Sequence, residues 1–196
     1  MATEHNSVAL VDGDVVRQFA RAALLAALLG AAAPVSIPIP LSAAPPITLQ
    51  VLFVFLAGLV LGPVWGPISL LLYLAAGAIG LPVFSGMSAG LGVLVGNTAG
   101  YLWSYPLAAG LIGLVIHRDT ELRDPAAVSL PVVIVALVAG TILIYGMGTG
   151  YMAWLLEIGA WEAITLGALP FIPGELLKIA AAIAIVKSGR IGPVRS

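Results

Sequence analysis

Long apolar runs broken by glycine, proline and sparse charge dominate the chain. A helix that crosses a membrane needs about 20 consecutive apolar residues, and six segments approach that pattern. The first runs from about Val16 to Ala33 and stops at Pro34. The second, Thr48 to Leu61, and the third, Val64 to Ile79, are each short and are divided by Gly62-Pro63. The fourth runs from about Leu91 to Ile116, the fifth from Ala126 to Tyr145, and the sixth from Gly174 to Lys187. Between the first and second lies Pro34-Val-Ser-Ile-Pro-Ile-Pro-Leu-Ser-Ala-Ala-Pro-Pro46, too rich in proline for a regular helix. Gly80 to Gly90 reads as a turn-rich loop, and Tyr151 to Leu166 as a glycine-rich connection with a short helix.

Composition agrees with immersion in lipid. The 196 residues are 61% hydrophobic and 9% charged, against about 25% charged for soluble domains. The expected organisation is a short tail over residues 1–15, a single six-helix membrane domain over 16–188, and a second tail over 189–196. The first 15 residues carry Glu4, Asp12 and Asp14 and no basic residue, the wrong sign for the n-region of a signal peptide. There is no cysteine, which excludes disulfides and thiolate chemistry, and the net charge of −1 argues against a nucleic-acid partner.

The positive charges set an orientation. Arg17 and Arg21 precede the first span, Arg118 and Arg123 lie between the fourth and fifth, and Lys187, Arg190 and Arg195 follow the sixth. With six spans all three clusters fall on one side, so both termini are expected in the cytoplasm. The opposite loops carry only Glu157 and Glu162.

One basic residue breaks this pattern. Lys178 lies inside the sixth apolar segment, with Glu175 three residues before it on the same helix face. A charge at the bilayer centre costs roughly 2.5–3.5 kcal/mol on insertion scales. In the plainer reading the two neutralise each other as an ion pair, with Lys178 snorkelling and Glu175 favoured by the helix N-terminus. In the functional reading they supply an acceptor and a donor to a ligand carrying both N–H and C=O groups, or bind an anion through Lys178. Gly92, Gly96 and Gly100 form a small-residue row on the fourth span, suited to close helix packing. Asn97, Thr98 and Tyr101 are interleaved with it, and an amide within a span requires hydrogen-bond partners. Ala23, Ala27 and Ala31 form a second row on the first span, suited either to internal packing or to docking on another membrane protein. His5 falls in the tail and His117 in a loop on the basic side. No nucleophile with a matching base, no metal motif and no phosphate-binding loop is present. An enzyme is therefore not expected, and any use of ATP falls to separate subunits.

Several runs together resemble the BioY family, the biotin-binding S components of energy-coupling factor (ECF) transporters. They are Pro46-Ile-Thr-Leu-Gln50, Leu56-Ala-Gly-Leu-Val-Leu-Gly-Pro63, Tyr73-Leu-Ala-Ala-Gly-Ala-Ile-Gly-Leu-Pro-Val-Phe84, Gly96-Asn-Thr-Ala-Gly-Tyr-Leu102 and Pro170-Phe-Ile-Pro-Gly-Glu-Leu-Leu-Lys178. Glu175 stands where the family pattern usually has aspartate, and Gly96-Asn-Thr-Ala-Gly-Tyr101 replaces the usual Gly-Pro-Thr-Gly-Gly-Tyr.

The resemblance implies an S-component-like bundle of six helices in the plasma membrane of a prokaryotic cell. It implies capture of biotin from outside and delivery inward by coupling to a membrane T component and two cytoplasmic ATPase subunits, with the Pro34–Pro46 connection as a lid. Ala23, Ala27 and Ala31 then become the face that meets the T component. Glu175 and Lys178 would take the ureido group, or Lys178 the carboxylate. Phe84, Met87 and Tyr101 would pack the ring and tail, with Thr48, Gln50 and Asn97 as further polar contacts. No cofactor is expected in this chain. The alternatives are an S component for another vitamin, a solitary biotin transporter, or a structural membrane protein without a small ligand.

Overall fold

The computed structural model describes residues 13–37 and 44–189. The two tails beyond those limits, with His5, Arg190 and Arg195, and the middle of the proline-rich connection lie outside the described residues. The protein is an all-helical membrane bundle: α1 (Gly13–Ala32), α2 (Gln50–Leu56), α3 (Gly62–Ala78), α4 (Ala99–His117), α5 (Leu130–Leu156), α6 (Ala160–Gly167) and α7 (Ile172–Lys187). Among the described residues, five continuous helical stretches are long and apolar enough to cross a membrane.

The second of these stretches, Gln50–Ala78, is folded back on itself. After α2 the helix widens into a π turn over Ala57–Leu61, and at Gly62 the backbone swings to φ 75°, a conformation that side chains disfavour. The proline that follows suits the first turn of α3. Residues 23 apart on a straight helix lie about 35 Å apart, yet the Gln50 side chain donates to the Tyr73 hydroxyl at 2.7 Å. The Gly62-Pro63 break thus acts as a tight hairpin, and α2 and α3 run antiparallel.

His117 closes the tip of this hairpin. The sequence placed it in a loop, but it is the last residue of α4 and fully buried. Its Nδ1 accepts the Arg123 backbone N–H at 3.0 Å. That fixes the proton on Nε2, which donates to the Leu59 carbonyl in the π turn at 3.1 Å. His117→Ala leaves both backbone groups without a partner. It is expected to cost about 2 kcal/mol, read as a fall of roughly 4–8 °C in melting temperature.

The described members of the three basic clusters share one end of the bundle. Ser69 on α3 donates to the Ala22 carbonyl at 2.8 Å, and Gly30 lies against Val83 just beyond the end of α3. Hence α1 runs parallel to α3 and begins, with Arg17 and Arg21, at the Gly62 end. At that same end the Lys187 ammonium donates to the Ala126 and Val128 carbonyls in the α4–α5 connection.

At the opposite end the chain is extended on either side of the undescribed middle of the proline-rich connection. Ser36–Ile37 (β1) pairs antiparallel with Ile47–Thr48 (β2), Ser36 opposite Thr48. The core is built around α4, which packs most extensively on α3 and α5. Tyr73, Phe55, Phe84 and Ile112 are among its largest fully buried side chains.

Three boundaries differ from the hydrophobic pattern. The fourth span begins at Ala99 rather than Leu91, because Leu91–Val95 forms a separate 3-10 turn and Gly96 is extended. Gly92, Gly96 and Gly100 therefore share no helix face. The fifth helix begins later, at Leu130, and continues to Leu156 through the glycines read as a loop. A side chain at Gly148 would lie 2.2 Å from the Tyr101 ring, so that glycine marks close packing of α5 on α4. The short helix accordingly starts at Ala160.

Candidate functional site

The helix ends opposite the basic clusters enclose a cavity of about 370 Å3, within the range of small-molecule sites. Its walls come from Pro46 and Gln50, from the loop residues Phe84, Ser85 and Ser88, from Val93 to Thr98 in part, and from Tyr101, Leu102 and Tyr105 on α4. A narrow recess of about 40 Å3 shares Pro46, Gln50, Tyr101 and Tyr105 with it and ends on Tyr145, Phe171, Glu175 and Lys178. A space that small admits the edge of a ligand and not its bulk.

The polar end of the recess is buried and charged. Glu175 is 3% exposed and Lys178 7%. The Lys178 ammonium donates to Glu175 Oε1 at 2.6 Å, and the Tyr145 hydroxyl from α5 donates to the same oxygen at 2.8 Å. Glu175 Oε2 is buried and has no hydrogen-bond partner among the described residues. A buried acceptor without a donor is costly, so Oε2 is a position that a ligand N–H would satisfy. Both donors converge on one oxygen and leave the other free for a donor from outside the chain.

A second polar chain lines the wall between recess and cavity. The Thr48 hydroxyl donates to Gln50 Oε1 at 2.9 Å, and the Gln50 amide donates to Tyr73. Tyr105 approaches Gln50 Oε1 at 3.5 Å. Tyr101 donates to the Gly167 carbonyl at 2.9 Å, which holds its ring edge-on to Tyr145. In the wider chamber the Ser85 hydroxyl is buried and without a partner among the described residues.

Of the residues expected at the site, Phe84 and Asn97 line the chamber, Thr48, Glu175 and Lys178 line the recess, and Gln50 and Tyr101 line both. Met87 is not among the lining residues. It occupies a turn with φ 61° and is 67% exposed, because the chain folds Phe84 inward and carries Met87 away. Ala27 and Ala31 are exposed and Ala23 half-buried, while Ala22 beside them is packed inside. Sequence reasoning missed Tyr105 and Tyr145, whose hydroxyls are invisible inside apolar helices. Their only signal was a phenol within a span, which needs a partner there. Tyr145→Phe removes one donor from Glu175 without changing the packing. A tenfold or somewhat larger loss of ligand affinity is expected, with a fall in melting temperature of only a few degrees because Lys178 still meets the same oxygen; a binding titration beside a thermal melt checks it.

Comparison with known proteins agrees with this architecture. The model of the BioY family matches residues 2–192. A probable biotin transporter BioY of Pyrococcus horikoshii is 38% identical over 164 residues, 83% of this chain and 92% of that protein. The biotin transporter BioY of Thermotoga maritima is 36% identical over 171 residues, 87% of this chain and 94% of its own. The crystal structure of the S-component for biotin from an ECF-type ABC transporter matches with TM-score 0.80 at 27% identity, covering 93% of this chain and 95% of that one.

Proposed function

The chain belongs to the BioY family, and from that we propose that its cavity captures biotin as the S component of an ECF-type importer. It is a multi-pass membrane protein of a transporter family, not of an enzyme family. The observation that carries the reading of the site is the free Glu175 Oε2 beside Lys178 at the end of a ligand-sized cavity. Biotin presents N–H donors and a C=O acceptor on a rigid ureido ring. In our reading one ureido N–H meets Oε2, and Lys178, keeping its bond to Oε1, offers a second proton to the ureido oxygen. The ligand carboxylate has no donor to give Oε2 and would be repelled by Glu175. The carboxylate end therefore lies in the wider chamber near the unmet Ser85 hydroxyl.

With α2 and α3 counted as separate crossings, the helices make six passes. The basic residues at one end support cytoplasmic termini, with the cavity, lined in part by Pro46, opening to the outside. The relatives are archaeal and bacterial, in keeping with the plasma membrane of a prokaryotic cell. The exposed Ala27 and Ala31 with Ala23 form a flat face for a T component, and two ATPase subunits bound to it would supply the energy. Uptake of labelled biotin in a biotin auxotroph tests this. Uptake is expected only when T component and ATPases are coexpressed; equal uptake without them would favour a solitary transporter.

A further inference from the structure

At the basic end of the bundle, α4, α5 and the connection between them line two confluent grooves that the captured ligand does not use. One, of about 550 Å3, runs along the outside of the helices and is lined by Leu114, Pro131 and Val135. The other, of about 300 Å3, is lined by Arg123, Asp124 and Ser129. Val115, Arg118 and Val132 line both. We propose that this site holds an anionic phospholipid, its phosphate between Arg118 and Arg123 and one acyl chain in the apolar groove.

The arginines lining the cleft have no counter-ion among the described residues. Among the described residues the ion pairs within 4.0 Å are Arg17–Asp14 and Lys178–Glu175, so neither Arg118 nor Arg123 is paired. The nearby aspartates, including Asp124 in the groove wall, are engaged by backbone N–H groups. Asp124 accepts the Ala126 N–H at 2.9 Å and Asp119 the Thr120 N–H at 2.6 Å, while Glu121 is exposed. Lys187 adds a third positive charge nearby, bonded to the Ala126 and Val128 carbonyls of the α4–α5 connection. Ser129 starts α5 without capping it, which leaves its hydroxyl available as a donor.

Arg118 itself has φ 62° at the end of α4, where glycine is the ordinary residue. An arginine held in that conformation is there for its side chain. Cationic and apolar walls meet at the level where the helices leave the bilayer, and that combination suits an amphiphile better than a soluble anion. Basic pockets between membrane helices recognise acidic headgroups in this way.

Arg118→Gly provides the test, because glycine accepts the backbone conformation and the fold is expected to survive. Full-length wild-type protein and the Arg118→Gly and Arg123→Gln variants are titrated with phosphatidylglycerol and phosphatidylcholine, bound lipid being read by native mass spectrometry. Wild type is expected to prefer phosphatidylglycerol roughly tenfold, each variant to lose most of that preference, and biotin affinity to stay unchanged. Equal binding of both lipids, or a preference that survives in the variants, overturns the proposal. So does inorganic phosphate displacing the lipid at millimolar concentration, which would mark a plain anion site. Variants that keep the lipid preference but no longer copurify with the coupling subunits would instead assign the cleft to a protein partner.

Discussion

Lys178→Ala is expected to abolish high-affinity biotin binding and to destabilise the protein together. Removing the ammonium leaves a carboxylate that is 3% exposed, with Tyr145 as its remaining donor among the described residues. Breaking one side of a buried pair costs about 3–5 kcal/mol. Loss of the donor to the ureido oxygen adds a fall in affinity of a hundredfold or more. Glu175→Gln acts from the other side, stranding the ammonium and converting the free oxygen into an amide. The double variant Glu175→Leu/Lys178→Met separates stability from function. Replacement of a buried pair by apolar residues is often neutral for folding, so the double variant is expected to melt close to wild type and still not bind biotin. A double variant that melts normally and binds normally would reduce the pair to a structural element.

Gly113→Ala is expected to give the largest loss of stability from the addition of one methyl group. Its Cβ would sit 2.5 Å from the Gly62 carbonyl carbon and the Pro63 nitrogen. Those atoms are backbone at the tip of the α2–α3 hairpin, so no rotamer change relieves the clash. The hairpin tip must move away from α4, which also pulls Leu59 from His117. Overpacking of this kind costs about 1–3 kcal/mol or more. A fall in melting temperature of about 5–10 °C is expected, measurable by thermal unfolding in detergent. A variant that melts like wild type would contradict the close packing of α4 on the hairpin.

The two cases indicate what the chain makes legible and what it hides. Gly62-Pro63 announced a break, because φ 75° and a proline at the helix start are local demands that residue type records. Glu175 and Lys178 stood out because charge in an apolar run is rare. Hydropathy, by contrast, measures immersion and not backbone geometry. Leu91–Val95 is as apolar as a helix and forms a 3-10 turn beneath the chamber. The glycines at 146, 148 and 150 looked like a loop because propensity speaks for glycine alone, whereas the Tyr101 ring pressed on Gly148 is a tertiary fact. Tyr105 and Tyr145 join the site only because the α4 and α5 registers turn their hydroxyls toward Gln50 and Glu175. Met87 was misplaced for the same kind of reason. Neighbours in sequence to a buried aromatic are turned by the intervening glycine, Gly86 at φ 64°, to the opposite side.

The aspartate-to-glutamate exchange at position 175 has a structural counterpart. The longer side chain reaches both Lys178 one turn along α7 and Tyr145 on α5 with a single oxygen. Glu175→Asp is expected to surrender the Tyr145 contact first.

Calorimetric titration of the purified protein with biotin, biotin methyl ester and a biotin derivative methylated on a ureido nitrogen tests the central claim most directly. The account predicts one site that binds biotin tightly, accepts the ester within about tenfold, and loses the N-methylated compound, whose missing donor leaves Glu175 Oε2 unmet. Absence of biotin binding, or tight binding of the N-methylated compound with loss of the ester, would contradict it.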